Sequence, residues 1–260
     1  MKRTILAITI GLLPLLTLGQ NQADKNAPPS RTDMDSAMAA MSSHHHDDAM
    51  GPHMKLTSLR AVQPGDTGRA AAIVETTRRV LEKYKDYRVA LADGFQIFMP
   101  QLPQRMYHFT NYAYAREAQI RFNPEHPTSL LYEKENQGYR LIGAMFTAPA
   151  EFDEAALDRR IPLSIAQWHE HVNLCAPPAA QREDLLKPNP RFGLLGSIAT
   201  QADCERAGGA FVPRLFGWMV HIYPYEPTPD KIWSVERQMQ VAPAKLADDG
   251  GGMKHPGSHP

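Results

Sequence analysis

Trp168-His169-Glu170-His171-Val172-Asn173-Leu174-Cys175 is the stretch on which the reading of the fold turns. On a helix, His169 and His171 would point about 200° apart; on a strand, where side chains alternate, they share a face. The strand reading also collects Trp168, Val172 and Leu174 on the opposite, apolar face. Imidazoles on one side and large apolar groups on the other mark a strand in the protein core. Glu170 then falls on the apolar face, where a carboxylate needs a partner, and Arg159 or Arg160 is the expected one. Two imidazoles about 7 Å apart along a strand can chelate one ion, as zinc, copper, iron and manganese sites on β-scaffolds do.

The flanking sequence supplies further strands. Phe216-Gly217-Trp218-Met219-Val220-His221-Ile222-Tyr223, within a strand expected over 211–225, aligns His221 with Met219 and Tyr223 against an apolar face. The strand containing the histidine pair is expected over 165–174. Residues 129–135 and 139–147 are β-rich runs around Asn136-Gln137-Gly138, a hairpin signal. Residues 95–99 and 106–110 are short extended segments with Pro100 and Pro103 between them. Helical periodicity lies earlier: Asp66 is placed to cap a helix over 67–84, with Ile73, Val74, Thr77, Val80, Leu81 and Tyr84 on one stripe. A second piece, 87–93, stops at Gly94. Short helices are expected at 153–159 and after Thr200, where Asp203 completes a capping pattern and Gly208-Gly209 ends the turn. Helices first, then mainly antiparallel strands with short helical insertions, predict an α+β fold.

The N-terminus reads as an export signal. Lys2 and Arg3 precede an apolar run over 5–18, and Thr17 and Gly19 favour cleavage after Gly19. Residues 1–19 are therefore the expected signal peptide, and the mature protein is expected to be periplasmic or secreted, without a membrane anchor. Residues 20–55 lack hydrophobic periodicity and predict a disordered arm. That arm carries Met34, Met38, Met41, His44, His45, His46, Met50, His53 and Met54, a set of soft and borderline donors suited to labile copper binding. A globular domain is expected over 56–240, followed by a disordered Gly/Pro tail over 241–260. Twenty-eight Lys and Arg balance twenty-eight Asp and Glu, so no basic footprint for nucleic acid or anionic lipid is present. Cys175 and Cys204 are expected to pair in an oxidising compartment, closing a loop of about 30 residues that contributes roughly 3–4 kcal/mol.

Two more residues join the histidine pair as candidates. His108 sits in Met106-Tyr107-His108-Phe109, an aromatic-rich stretch, and Glu133 ends the hydrophobic run Leu130-Leu131-Tyr132-Glu133. A lone histidine in an apolar strand is more often a hydrogen-bonded core residue than a ligand. Four such histidines, each in a core strand, fit one shared site better. His108, His169, His171 and His221 are thus the expected metal ligands, with Glu133 as an occasional ligand or an orienting partner.

Tyr84-Lys85-Asp86-Tyr87, Ala90-Leu91-Ala92-Asp93-Gly94, Met106-Tyr107-His108-Phe109, Leu130-Leu131-Tyr132-Glu133 and Val220-His221 together resemble a broad group of exported bacterial proteins. Its members carry an Ala-Asp-Gly-Tyr helix end, a Tyr-His-Tyr element, a Leu-Leu-Tyr-Glu strand and a late strand with one His. Phe95 and Phe109 stand here where that pattern has Tyr. The likeness spans residues 84–226; it implies His108, Glu133 and His221 as a set and supplies no reaction.

The expected function is transition-metal binding, with copper or zinc as the cofactor. The alternatives are a metal-dependent hydrolase or oxidoreductase using the same histidines, with Glu133 or Glu170 as base, and a metal-free binding module. No phosphate-binding glycine loop, Ser/His/Asp pattern or dinucleotide fingerprint is present in the sequence.

Overall fold

The computed structural model describes residues 51–239. The expected signal peptide, the arm residues Met34, Met38, Met41, His44, His45, His46 and Met50, and the whole of the Gly/Pro tail lie outside the described residues. The strands are β1 (Met54–Leu56), β2 (Gln96–Ile97), β3 (Tyr107–Thr110), β4 (Ser129–Glu135), β5 (Gly138–Ala148), β6 (His169–Ala176) and β7 (Ala210–Ile222). They form one sheet in the order β1-β6-β7-β5-β4-β3-β2, with every neighbouring pair antiparallel. The helices are α1 (Asp66–Leu81), α2 (Tyr87–Ala92), α3 (Tyr112–Ile120), α4 (Glu154–Arg160), α5 (Gln201–Arg206), α6 (Pro229–Ile232) and α7 (Glu236–Met239). The class is α+β, with helices distributed among the strands rather than gathered ahead of them.

Alternation along the strands separates two cores. Leu130, Tyr132, Ala144, Phe146, Trp168, Trp218, Val220 and Ile222 face one side and pack with Ile73, Val74 and Leu81 of α1. Leu131, Ile142, Met145, Met219 and Tyr223 form a smaller core on the other side. Each strand thus sends consecutive residues into different cores, which fixes its register. The histidines belong to the smaller core.

Two irregularities shape that side. Leu131 pairs with Gly143 and Tyr132 with Leu141, so Ile142 is the extra residue of a bulge in β5. A Cβ on Gly143 would stand 2.3 Å from the carbonyl oxygen of Ile222, so only glycine allows β7 to lie this close. In β7, the segment from Leu215 to Met219 spans the single step from His171 to His169 on β6. The surplus is absorbed where Phe216 takes a left-handed φ of 64° and Gly217 lies against Ala148. Bulges increase twist and bend. The bend brings Phe98, beside β2, to within 5.7 Å of Phe216 on β7, ring centre to ring centre. A flat sheet would hold β3 and β7 about 14 Å apart, with strands at about 4.8 Å spacing. The sheet therefore coils with the smaller core on its inside.

Several expectations are refined by the structure. The folded part begins earlier than residue 56: β1 starts at Met54, pairs with β6, and His53 is buried. His53 and Met54 thus belong to the domain and not to the arm, because β6 would otherwise leave a bare edge. Gly65, with a φ of 92°, is the N-cap of α1, and Asp66 is its first residue. The Asp66 carboxylate is buried, accepting from Arg60 at 2.6 Å, Ser164 at 2.7 Å and the Gln63 amide at 2.8 Å. The same Arg60 also binds Asp158, so these charges tie the entering chain to α1 and α4. Helix α3 has no counterpart in the sequence reading, because its packed face is only half-buried and is made of Tyr114, Ala115, Glu117 and Ala118 rather than large aliphatic residues; Asn111 starts it by accepting from the amides of Ala113 and Tyr114.

Cys175 and Cys204 are joined by a disulfide with a Cα separation of 5.5 Å. They pack with Phe192 and Ile198, and a Cβ on Gly209 would meet the Cys175 sulfur at 2.5 Å. The second glycine of Gly208-Gly209 therefore makes room for the bridge, while Gly208, with a φ of 73°, ends α5. A structural disulfide is the habit of proteins in oxidising compartments. Among the described residues, no helix is long and apolar enough to cross a membrane.

Candidate metal centre

The four candidate histidines follow one another ring against ring on the inner side of the coiled sheet. In the order His171, His169, His221, His108, successive ring centres lie 5.3, 5.2 and 5.3 Å apart. β6 contributes the first two, β7 the third and β3 the fourth. The Nε2 atoms of His108 and His221 are 3.4 Å apart. Two nitrogens sharing a tetrahedral ion at about 2.05 Å would be separated by about 3.3 Å. His169 and His221 are buried, whereas His108 and His171 are partly open to solvent.

Burial keeps these imidazoles neutral. Loss of hydration lowers His108 to about 4, with a smaller effect from His171. Burial likewise lowers His171 to about 4, helped by nearby His53. His169 and His221 are pushed well below the ordinary histidine value, first by burial and then by the neighbouring histidines. Neutral imidazole is the form that binds a metal.

Hydrogen bonds occupy only part of the row. His221 Nδ1 lies 3.3 Å from the Tyr223 hydroxyl, which donates in turn to the Met106 sulfur at 3.7 Å. In the tautomer that donates from Nδ1 to Tyr223, the lone pair of His221 is on Nε2, facing His108. The Nδ1 atoms of His169 and His171 are buried without a partner. His53 donates from Nε2 to the Gly196 carbonyl at 2.7 Å, and its buried Nδ1 also lacks a partner. Unpartnered buried polar atoms are uncommon and costly. Three of them fall in this one region. Among the described residues, however, no group of three or more His, Cys, Asp and Glu side chains is already gathered around a common point. The donors are adjacent rather than converged.

The two carboxylates stand apart from the row. Glu133, at the end of β4, pairs with Arg140 and with Arg237 at 3.8 Å, so guanidinium groups already hold it. Glu170 is fully buried on the opposite face of β6, as alternation requires. Its partners are Arg214 at 3.2 Å and Lys55 at 3.8 Å, not Arg159 or Arg160. Arg160 instead donates to the carbonyls of Ala118 and Thr147. The partners of Glu170 are supplied by β7 and β1, the strands flanking β6, and that adjacency is a property of sheet order. Burial raises Glu170 above the usual carboxylate range, partly offset by Arg214 and Lys55.

Sequence reasoning named Met54 only as an arm donor and Met219 only as sharing a face with His221, and it missed Met145. Register sets Met54 opposite His171, Met219 opposite His169 and Met145 opposite His221. Period two alone places Met219 with His221; the other pairings depend on strand order. His126 stacks on Tyr114 and bonds Glu117 at 2.5 Å, away from the row.

Compared with protein-family models, curated proteins and solved structures, the chain shows no match.

Proposed function

We propose that this chain is an exported, periplasmic transition-metal-binding protein whose ion, copper or zinc, is held by His108, His169, His171 and His221. The observation that carries this reading is the 3.4 Å separation of the His108 and His221 Nε2 atoms, brought together from β3 and β7. The partnerless Nδ1 atoms of His169 and His171 add to it, since coordination would satisfy buried lone pairs that nothing else does. A binding role is preferred to catalysis because a general base must reach the reacting centre. Glu133 is held by arginines and Glu170 faces the other side of the sheet.

The test is thermal unfolding with and without metal. One equivalent of copper or zinc should raise the melting temperature, and a chelator should reverse the rise. The H169A/H171A variant should melt at one temperature whether metal is present or not. Equal metal-induced stabilisation of variant and wild type would overturn the assignment. A metal-free reading takes the His108–His221 pair as a hydrogen bond between neutral imidazoles, and it predicts no metal-induced rise in either protein.

A further inference from the structure

Resting on that metal-binding reading, we propose that the site is selective for Cu(I), with the thioethers of Met54, Met145 and Met219 completing a neutral nitrogen-and-sulfur donor set. Two independent observations lead there. The first is placement. Three of the four histidines have a methionine directly across the sheet: Met54 opposite His171, Met219 opposite His169 and Met145 opposite His221. Directly opposed residues on one face have Cβ atoms about 4.5–5.5 Å apart, within reach of one ion for side chains as long as these. Met145 and Met219 are buried in the smaller core, and Met106 packs against that core on the same side. Thioether sulfur is a soft donor with little affinity for zinc and good affinity for Cu(I).

The second observation is charge. The histidine and methionine donors on this face are all neutral, and the one carboxylate that shares the face, Glu133, is held by Arg140 and Arg237. Glu170 stands on the opposite face, and both cysteines are spent in the disulfide. The solvation cost of burying an ion scales with the square of its charge, so a dication with only neutral ligands costs about four times what a monocation costs. Zinc sites usually recover part of that cost from thiolate or carboxylate ligands. Nothing comparable among the described residues touches this row. A monocation with soft character answers both observations.

The experiment is a competition titration on the full chain, with the arm silenced by H44A, H45A, H46A, M34L, M38L, M41L and M50L. Cu(I) is presented under reducing conditions against a chromogenic Cu(I) chelator, and Zn(II) against a zinc chelator. The proposal predicts one equivalent of Cu(I), held at least about 100-fold more tightly than Zn(II). It also predicts that M54L/M145L/M219L weakens Cu(I) by about tenfold or more and leaves Zn(II) nearly unchanged. Leucine matches methionine in volume, and an unchanged melting temperature without metal verifies that the variant folds. Tighter binding of Zn(II) overturns the copper selectivity. Tight Cu(I) binding that survives the triple substitution overturns the thioether ligands while leaving the histidine site in place. Failure of both ions to bind overturns the underlying metal reading itself.

Discussion

His108 and His221 meet with their Nε2 atoms 3.4 Å apart, although β5 and β4 lie between the strands that carry them. The contact exists because the sheet coils, and the sheet coils where β5 and β7 carry surplus residues. The candidate site is thus a consequence of the bulges as much as of the histidines.

Gly143 is the tightest point of that coil. A side chain there would press on the Ile222 carbonyl, a backbone atom that cannot swing away. G143A should cost about 2–3 kcal/mol, the range expected for overpacking, and should also weaken metal binding by displacing His221. G208A is the comparison: its φ is 73° with nothing near the added carbon, so about 1 kcal/mol is expected, with metal binding unchanged. Urea unfolding of both variants decides; equal costs would mean that β7 does not depend on Gly143 for its position.

Stability of the metal-free protein should fall on acidification. In the unfolded chain histidines take up protons near pH 6.5, whereas His108 and His171 wait until about 4 and His169 and His221 resist still longer. Between those limits the unfolded state binds more protons, so stability is complete above about pH 7 and is lost as pH falls toward 4. Each histidine contributes on the order of 1 kcal/mol per pH unit within its window. Glu170, raised by burial, works in the opposite direction, whereas Asp66, Asp93, Glu117, Asp158 and Asp184, all lowered by their hydrogen-bond partners, add to the loss at the acid end. Chelator-treated protein unfolded in urea at pH 7, 6, 5 and 4 should show the decline, and H169Q/H221Q should flatten it. A flat profile for the wild type would show that the imidazoles are not desolvated.

Glu170 and Arg214 form a pair of unequal burial. R214A leaves the carboxylate buried with only Lys55 at 3.8 Å, and should cost about 1–2 kcal/mol. That is below the roughly 3–5 kcal/mol of a fully buried pair, because Arg214 is itself half-exposed. E170Q should be within about 1 kcal/mol of the wild type, since it removes the ionic burial together with the attraction. Adding E170Q to R214A should recover most of the loss. Additive costs in chemical denaturation would mean that the two side chains do not interact.

The disulfide acts on a separate cluster. Replacing both cysteines by alanine should cost about 3–4 kcal/mol, the loop-closure contribution for a bridge spanning 29 residues. Metal affinity should be unchanged, because Cys175 and Cys204 pack with Phe192 and Ile198 and not with the row. Loss of metal binding in this variant would couple the two regions and contradict their separation.

Much of this architecture was legible in the chain. Alternation around His169 and His171, the Asn136-Gln137-Gly138 turn and the Thr200 cap mark their elements because each is a local signal. The four histidines could be nominated for the same reason, since each interrupts an apolar strand. Local signals do not carry strand order. Met54 and Met145 become neighbours of His171 and His221 only through register, and the partners of Glu170 come from strands remote in sequence. Glu133 shows the same limit, because Arg140, its direct partner across the hairpin, and Arg237 hold it through register and folding that its own strand does not announce. Helix α3 escaped because its half-buried face is built from Tyr114, Ala115, Glu117 and Ala118, a stripe too polar and too small to stand out.

The most direct measurement is metal content of the purified full chain with the arm donors substituted, compared with the same chain carrying H108A and H221A. About one equivalent of metal in the first and essentially none in the second, with both proteins folded by circular dichroism, is the predicted result. Equal metal content in the two proteins, or none in either after reconstitution under reducing and oxidising conditions, would contradict a metal centre built on the His108–His221 pair.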